Sequence, residues 1–500
     1  MKLLKLIDST VKRKKIVKII YCWKVASKIC SRDLLIIHGS ACCLTAQDRV
    51  GGRIASIPWN NNWVECGAQY LYGHQSDLAK ICRYRELLSD FVSTKGSGLY
   101  LRDDGVEVDE KLVKDINDVV QSTIEECKVS ENPETHLADN AGNVGRILRS
   151  KLRKHLRKKC DPLSIRDMRE EIFDWNVRFL MIENACFTLD ELSVKYWGKY
   201  QPIKKVKHAT FEAGYSSIIN FILQGLNQRN IRLNCPVETI EWSQSINTGN
   251  LGQANAKPVT VTLVDKRRIF ADCVIATCSL GYLKENYRKM FNPELPLHLS
   301  QAIESLGFGL VNKIFLDFGE PWWDPNDQGF QFIWSKNGRR IFSKQKLATW
   351  TRDLTGFDVL EGHRAVLLGQ VAGRGAHVIE TLSEHQVALD CINLLRHFLK
   401  REDIPVPRRC KRTQWHSNMY IRGAYSHVST NCDATAVTPG ILGKPVWCTV
   451  TREAHDKCVP VIMLAGEATH EKYYSTTHGA FETGIRQAKT FLQYHIEKKC

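Results

Sequence analysis

"VIMLAGEATHEKYYSTTHGAFETGIRQA", residues 461–488, decides the fold of this chain. Its apolar start reads as a buried strand, "GE" as a turn carrying an acid, and the small residues around Gly479 as the start of a helix. Strand, loop and helix N-terminus in that order make an anion site, because the first-turn N–H groups lack helical partners and the helix dipole adds partial positive charge. A second stretch of the same kind lies near the other end. "TAQDRVGGR", residues 45–53, sets two adjacent glycines between Arg49 and Arg53. In a dinucleotide-binding βαβ unit an acid at the end of the second strand holds the ribose, while glycine-flanked amides and an arginine approach the pyrophosphate.

Between these ends the patterns alternate. "ATFEAGYSSIINFILQGLNQ", residues 209–228, reads as a glycine turn and an amphipathic helix with Ile218, Ile219, Ile222 and Leu223 at helical spacing. "IRLNCPVETIEWS", residues 231–243, and "KPVTVTLVDKRRIFADCVIATCS", residues 257–279, alternate as strands do, and the second ends in the apolar run Val274, Ile275, Ala276. Residues 81–207 are richer in charge and helix formers, which predicts a helical insertion into an α/β domain. No internal repeat or low-complexity linker interrupts the chain.

At 500 residues the chain exceeds the size at which one core keeps growing, so two domains, or one large domain with an insertion, are expected. Lys and Arg outnumber Asp and Glu by 70 to 54, a net +16 that permits an anionic partner without choosing one. The longest basic run, "KLRKHLRKKC" at residues 151–160, lacks the interleaved aromatics of a single-strand binder and is expected to be a solvated helix face, so no nucleic-acid partner is expected. The 18 cysteines are scattered without paired CxxC spacing, which predicts free thiols in a reducing compartment and no metal site. Lys2, Lys5, Lys14, Lys15 and Lys18 interrupt the N-terminal apolar residues, and no run of about 18 apolar residues occurs. A cytoplasmic monomer without a membrane span is therefore the expectation.

The stretch 461–488, with "TAQDRVGGRI" and "VECGAQYLYG" (residues 64–73), resembles the flavin-containing amine oxidase family, and "YYSTTHGA" is most like its animal polyamine oxidases. "CVIATCSLGYLKE" (273–285), "LGFGLVNKIFLDF" (306–318) with "PWW" after it, and "RTQWHSNMYIRGAYSHVS" (412–429) continue the resemblance in the family's order. It implies an α/β fold of two domains: a Rossmann-like FAD domain from residues 1–80, 208–285 and 436–500, and an α+β substrate domain with a mixed sheet from residues 81–207, mainly helical, and 286–435. It also implies oxidation of a polyamine such as spermine, spermidine or an acetylated form. A C–H bond beside the amine nitrogen gives a hydride to the flavin, and water and oxygen complete the conversion to an aldehyde, a shorter amine and hydrogen peroxide.

Carried over by the resemblance, Arg49, Gly51, Gly52 and Arg53 line the FAD pyrophosphate and the approach to the flavin. Val237 contacts the adenine side through its backbone, Gly466 and Glu467 meet the ribityl and phosphate region, and Thr476 and Thr477 lie beside the flavin. Lys313 matches the lysine that holds a water near the flavin. Ser475 and Thr476 match contacts to the substrate amine, Glu183 falls where a carboxylate reads a distal ammonium, and Tyr473 and Tyr474 are candidate aromatic walls. Three departures stand against this. The family's first strand leads into a G-x-G-x-x-G turn, whereas here the strand expected at residues 16–20 is followed by Tyr21, Cys22 and Trp23, and no glycine precedes Gly39. Thr45 stands in place of the ribose-binding glutamate. Tyr72 replaces a histidine, and Tyr70 a tryptophan, of the substrate-side motif. A family member that keeps the fold but not the cofactor, and an oxidase acting on histone lysine, are the alternatives.

Overall fold

The computed structural model describes residues 34–495 except 39, 73–75, 93–94, 130–141, 198–208, 248–256, 337, 339–346 and 453–454. The strand expected at residues 16–20 and the three bulky residues after it lie outside the described residues. Two large sheets carry the chain. The first has seven strands in the spatial order Ser245–Asn247, Val446–Arg452, His455–Leu464, Cys273–Ala276, Leu34–His38, Ser40–Leu44, Ile231–Arg232. Cys273–Ala276 runs parallel to His455–Leu464 and is buried along its whole length, as the apolar run predicts for a strand covered on both faces. The helix Thr477–His495 packs on it through Ala488, Phe491 and Leu492.

The centre of this sheet departs from a doubly wound one. Leu34–His38 is antiparallel to both of its neighbours and turns directly into Ser40–Leu44, with His38 opposite Ser40. A dinucleotide-binding unit joins its first two strands through a crossover helix, because parallel strands cannot be linked by a tight turn. Here Leu34–His38 and Ser40–Leu44, the first two strands among the described residues, form a hairpin. Thr45 closes its second strand, and its buried hydroxyl donates to the carbonyl of Arg49 (3.3 Å) and accepts from the Gln47 N–H (3.1 Å). Thr45 therefore shapes the loop that follows rather than facing a ribose.

The second sheet has six strands in the order Arg409–Arg412, Asn312–Asp317, Val366–Val371, Leu354–Val359, Gly329–Ile333, Leu99–Arg102. It is antiparallel except for its last pair, which makes it the mixed sheet expected. Phe332 and Trp334 pack on Phe398 of the helix Glu384–Leu399, with ring centroids 4.5 and 4.8 Å apart. The charged middle of the chain forms the helices Glu110–Val129, Val144–Lys158 and Leu163–Asn184, joined in one core by Ile116, Leu148, Leu152, Ile172 and Trp175. On Val144–Lys158, Leu152 and Leu156 are buried while Arg153, Lys154, Arg157 and Lys158 are exposed, so the basic run is a solvated helix face. Asn143 caps this helix by accepting from the Arg146 N–H at 2.9 Å. Asn143→Ala is expected to lower stability by about 1 kcal/mol, read as a fall in the urea midpoint at constant slope.

Candidate active site

A cavity of about 470 Å³ lies between the two sheets. Its lining gathers residues far apart in sequence: Gly51 and Arg53 from the loop after the hairpin, Cys66 to Tyr70 and Tyr72, Lys95, the C-terminal end of Leu163–Asn184, Lys313, Trp415, Ala424 to His427, Gly466 and Glu467, and Tyr474 to Thr477. The long helix delivers Phe179, Leu180 and Glu183 because they fall on one face at i, i+1 and i+4. Gly466 has φ +131°, and a Cβ there would meet nothing within 4 Å. The chain thus presents bare backbone to the cavity at the end of the strand His455–Leu464, and the first turn of the helix Thr477–His495 contributes Thr477 and Ala480 to the lining.

One buried carboxylate organises this end. Glu467 Oε1 accepts from Arg53 Nη1 at 2.8 Å, and Oε2 accepts from Ser426 Oγ (2.5 Å), Ser426 N (3.3 Å) and Ser475 N (2.9 Å). Arg53 Nη1 also donates to the Ala424 carbonyl (2.7 Å), and the guanidinium lies 5.5 Å from the Phe308 ring centroid. Ser475 takes a left-handed φ of +65°, and its hydroxyl donates to the Ser426 carbonyl. Thr476 Oγ1 accepts from the Gly479 N–H at 3.0 Å and caps the helix start, while Thr477 Oγ1 meets the Tyr215 hydroxyl at 2.5 Å.

Lys313 projects from the strand Asn312–Asp317, second from one edge of the six-stranded sheet. Its Nζ donates to the carbonyls of Glu65 (2.8 Å) and Gly67 (2.9 Å) and to Gln69 Oε1 (2.8 Å), so it ties the Cys66 to Tyr72 wall of the cavity to the sheet. Burial pushes its ammonium down from the ordinary 10.5 to about 8, against the attraction of Glu65. Burial in turn raises the Glu65 carboxyl, offset by the Tyr215 N–H and the Ser56 hydroxyl that bind it.

The remaining expected residues are divided between cavity and scaffold. Tyr72, Glu183 and Tyr474 line the cavity together with Lys313, Ser475, Thr476 and Thr477. Arg49 does not: its guanidinium donates to the carbonyls of Val50, Gly52 and Ile54 and staples its own loop. Gly52 belongs to that loop with φ +60°. Val237 lies half-buried in the strand Val237–Trp242, paired with Leu263 and outside the cavity lining. Tyr473 is not a wall, because its ring packs between His470 (4.9 Å) and His478 (4.8 Å). Several lining residues were not singled out from the sequence, among them Lys95, Gln69, His427 and Trp415, whose indole donates to the Cys66 carbonyl at 3.0 Å. Gln69, Trp415 and His427 fall inside motifs that had already been quoted, so a signal existed. Lys95 has none.

The family model for flavin-containing amine oxidoreductases matches residues 43–492. The chain belongs to that family. This flavin-containing amine oxidoreductase is 29% identical over 467 residues to the human peroxisomal N(1)-acetyl-spermine/spermidine oxidase, covering 90% of this chain and 89% of that one. It is 26% identical to a probable polyamine oxidase 5 of Arabidopsis thaliana, covering 93% of each. A possible lysine-specific histone demethylase 1 of Drosophila melanogaster is 29% identical over 335 residues, covering 65% of this chain but only 35% of that protein. Among solved structures, wild-type putrescine oxidase bound to putrescine matches with a TM-score of 0.61 at 18% identity, covering 90% of this chain and 93% of that one, which shows a shared fold.

FAD is the cofactor of this amine oxidoreductase, and the residues present fit its flavin end. The open backbone at Gly466, the Arg53–Glu467 pair and the helix N-terminus at Thr477 form one continuous wall of the cavity. Gly51, at φ +100°, lines the same cavity from the loop that carries Arg53. Among the described residues no helix is long and apolar enough to cross a membrane, and no group of three or more His, Cys, Asp or Glu is placed to hold a metal.

Proposed function

We propose that this FAD-dependent amine oxidase acts on polyamines or their acetylated forms, giving an aldehyde, a shorter amine and hydrogen peroxide. The observation that carries it is the convergence of Lys313, Glu467, Thr476, Thr477 and Glu183, from distant segments, on one cavity. The similarity along nine-tenths of the chain to a protein named for acetylated polyamines supports the substrate class. When bound, FAD supplies the acceptor for the two electrons of the C–H bond beside the amine nitrogen. The protein does the rest. Tyr70, Tyr72, Tyr474 and Trp415 give the reacting amine an apolar surround that disfavours its ammonium form, as the chemistry requires. Lys313, with its ammonium pushed down to about 8, is a group that holds or gives a proton at Nζ near working pH. Arg53 and Glu467 fix the turn against which the flavin lies. The described cysteines are all free, which supports a reducing compartment, and we place the protein in the cytoplasm.

A second reading, a member that keeps the fold without retaining the cofactor, is favoured by the Thr45 hydroxyl engaged in its own loop where the family carries an acid. One spectrum separates the two. The purified chain is incubated with excess FAD, gel-filtered and read between the near-ultraviolet and visible bands, then mixed anaerobically with spermine. Retained yellow that bleaches is the expected result. A colourless, cooperatively folding protein would overturn the oxidase proposal.

A further inference from the structure

Glu183 is already occupied by a cation of the same chain. Lys95 Nζ donates to Glu183 Oε1, and its ammonium also lies 5.2 Å from the ring centroid of Phe179, one helical turn before Glu183. The turn that carries Lys95 is fixed rather than free to swing. The Gly96 N–H donates to the half-buried Asp358 Oδ1 (3.0 Å), and the Tyr100 hydroxyl donates to the Gly96 carbonyl (2.8 Å). Gly96 has φ +74°, and a Cβ there would stand 2.9 Å from the Phe179 ring, so the turn is pressed onto the helix that bears Glu183. Lys95, Phe179 and Glu183 all line the cavity.

Both carboxylates of the lining are then paired. Its carboxylates among the described residues are Glu183 and Glu467, the first engaged by Lys95 and the second by Arg53, while Lys313 adds a further basic group. A second ammonium on a substrate therefore finds no carboxylate that is not already matched, and meets the Lys95 charge if it approaches Glu183. We propose that Lys95 is a specificity-determining residue: by neutralising Glu183 it makes this cavity select amines whose far end carries no charge, an amide or an apolar group, over those ending in an ammonium. This rests on the amine-oxidase function proposed above.

The test uses the flavin-loaded full chain and a matched pair of secondary amines, N-butyloctylamine and its ω-amino derivative, which differ only in a terminal ammonium. Binding is measured by calorimetry and turnover by anaerobic flavin bleaching. The wild type should favour the uncharged end by roughly tenfold in kcat/KM, and Lys95→Met, which keeps the apolar stem, should abolish this preference by lowering KM for the ω-amino compound by roughly tenfold. Adding Glu183→Gln to Lys95→Met should erase the gain, since the freed carboxylate is what the second ammonium would meet. If both amines bind and the preference is the same in wild type and Lys95→Met, or if the gain survives Glu183→Gln, the selection by Lys95 is wrong while the oxidase function stands. If neither amine binds nor bleaches the flavin, both fall together.

Discussion

Lys313→Met should lower kcat by about 10²–10³-fold with a smaller change in KM, the size expected when a positioned proton-handling group is removed. Methionine keeps the buried stem and loses the three hydrogen bonds to Glu65, Gly67 and Gln69 that hold one wall of the cavity in place. The wild type should show an inflection near pH 8 in kcat that the variant lacks. The same group ties stability to pH. Its folded-state value of about 8 lies below the ordinary 10.5, so the unfolded chain binds its proton more tightly across that window. The contribution of Lys313 to stability is fully present above pH 10.5 and lost as pH falls through 8. Wild-type stability relative to the variant should therefore rise between pH 8 and 10.5, as denaturant midpoints taken across that range will show. A variant with kcat within threefold of wild type would remove Lys313 from the chemistry.

Glu467→Ala should be the more damaging change to the protein itself. Arg53 and Glu467 are mostly buried, with side-chain exposures of 21% and 7%, and the carboxylate accepts from Arg53, Ser426 and Ser475 at once. Removing it leaves a largely desolvated guanidinium and several donors unmatched, which costs about 3–5 kcal/mol. The variant should also lose its flavin on gel filtration, because the Gly466 turn is held through this carboxylate. Glu467→Gln, which keeps an acceptor for Ser426 and Ser475, should fold better than Glu467→Ala and retain flavin less well than wild type. Urea midpoints and flavin absorbance after filtration check both. A loss of less than 1 kcal/mol in Glu467→Ala would show that this network is not what fixes the turn.

Much of the site was legible because its chemistry is local in sequence. Gly466, Glu467, Thr476 and Thr477 belong to one strand–turn–helix, and a strand, a glycine turn and a helix start are short-range signals. The alternation of Val259, Val261 and Leu263 against Thr260 and Thr262 gave the strand Val259–Leu263 in the same way. Side-chain direction was less readable. Arg49 and Arg53 look equivalent in "RVGGR", yet Arg49 satisfies carbonyls within its own loop and Arg53 crosses to Glu467, a choice set by a partner some 400 residues away. Tyr473 and Tyr474 are neighbours, and the turn they occupy sends them to opposite sides. Lys95 was invisible for the same reason: only the packing of Gly96 against Phe179 brings it to Glu183.

The seven-stranded sheet also sets a timetable. Its central strand Cys273–Ala276 pairs with Leu34–His38 on one side and His455–Leu464 on the other, so its last edge is supplied by the final tenth of the chain. At ribosomal speeds of about 5–20 residues per second, Cys273–Ala276 waits roughly 10–40 s for Leu464 to be made. During that interval the inner strands expose unpaired backbone and apolar surface, which makes the nascent chain a client for chaperones and leaves it unable to hold a ligand. A ribosome that stalls before residue 461 would release a protein with most of its mass and no flavin wall, and such a product should be cleared as misfolded rather than accumulate as a partial enzyme.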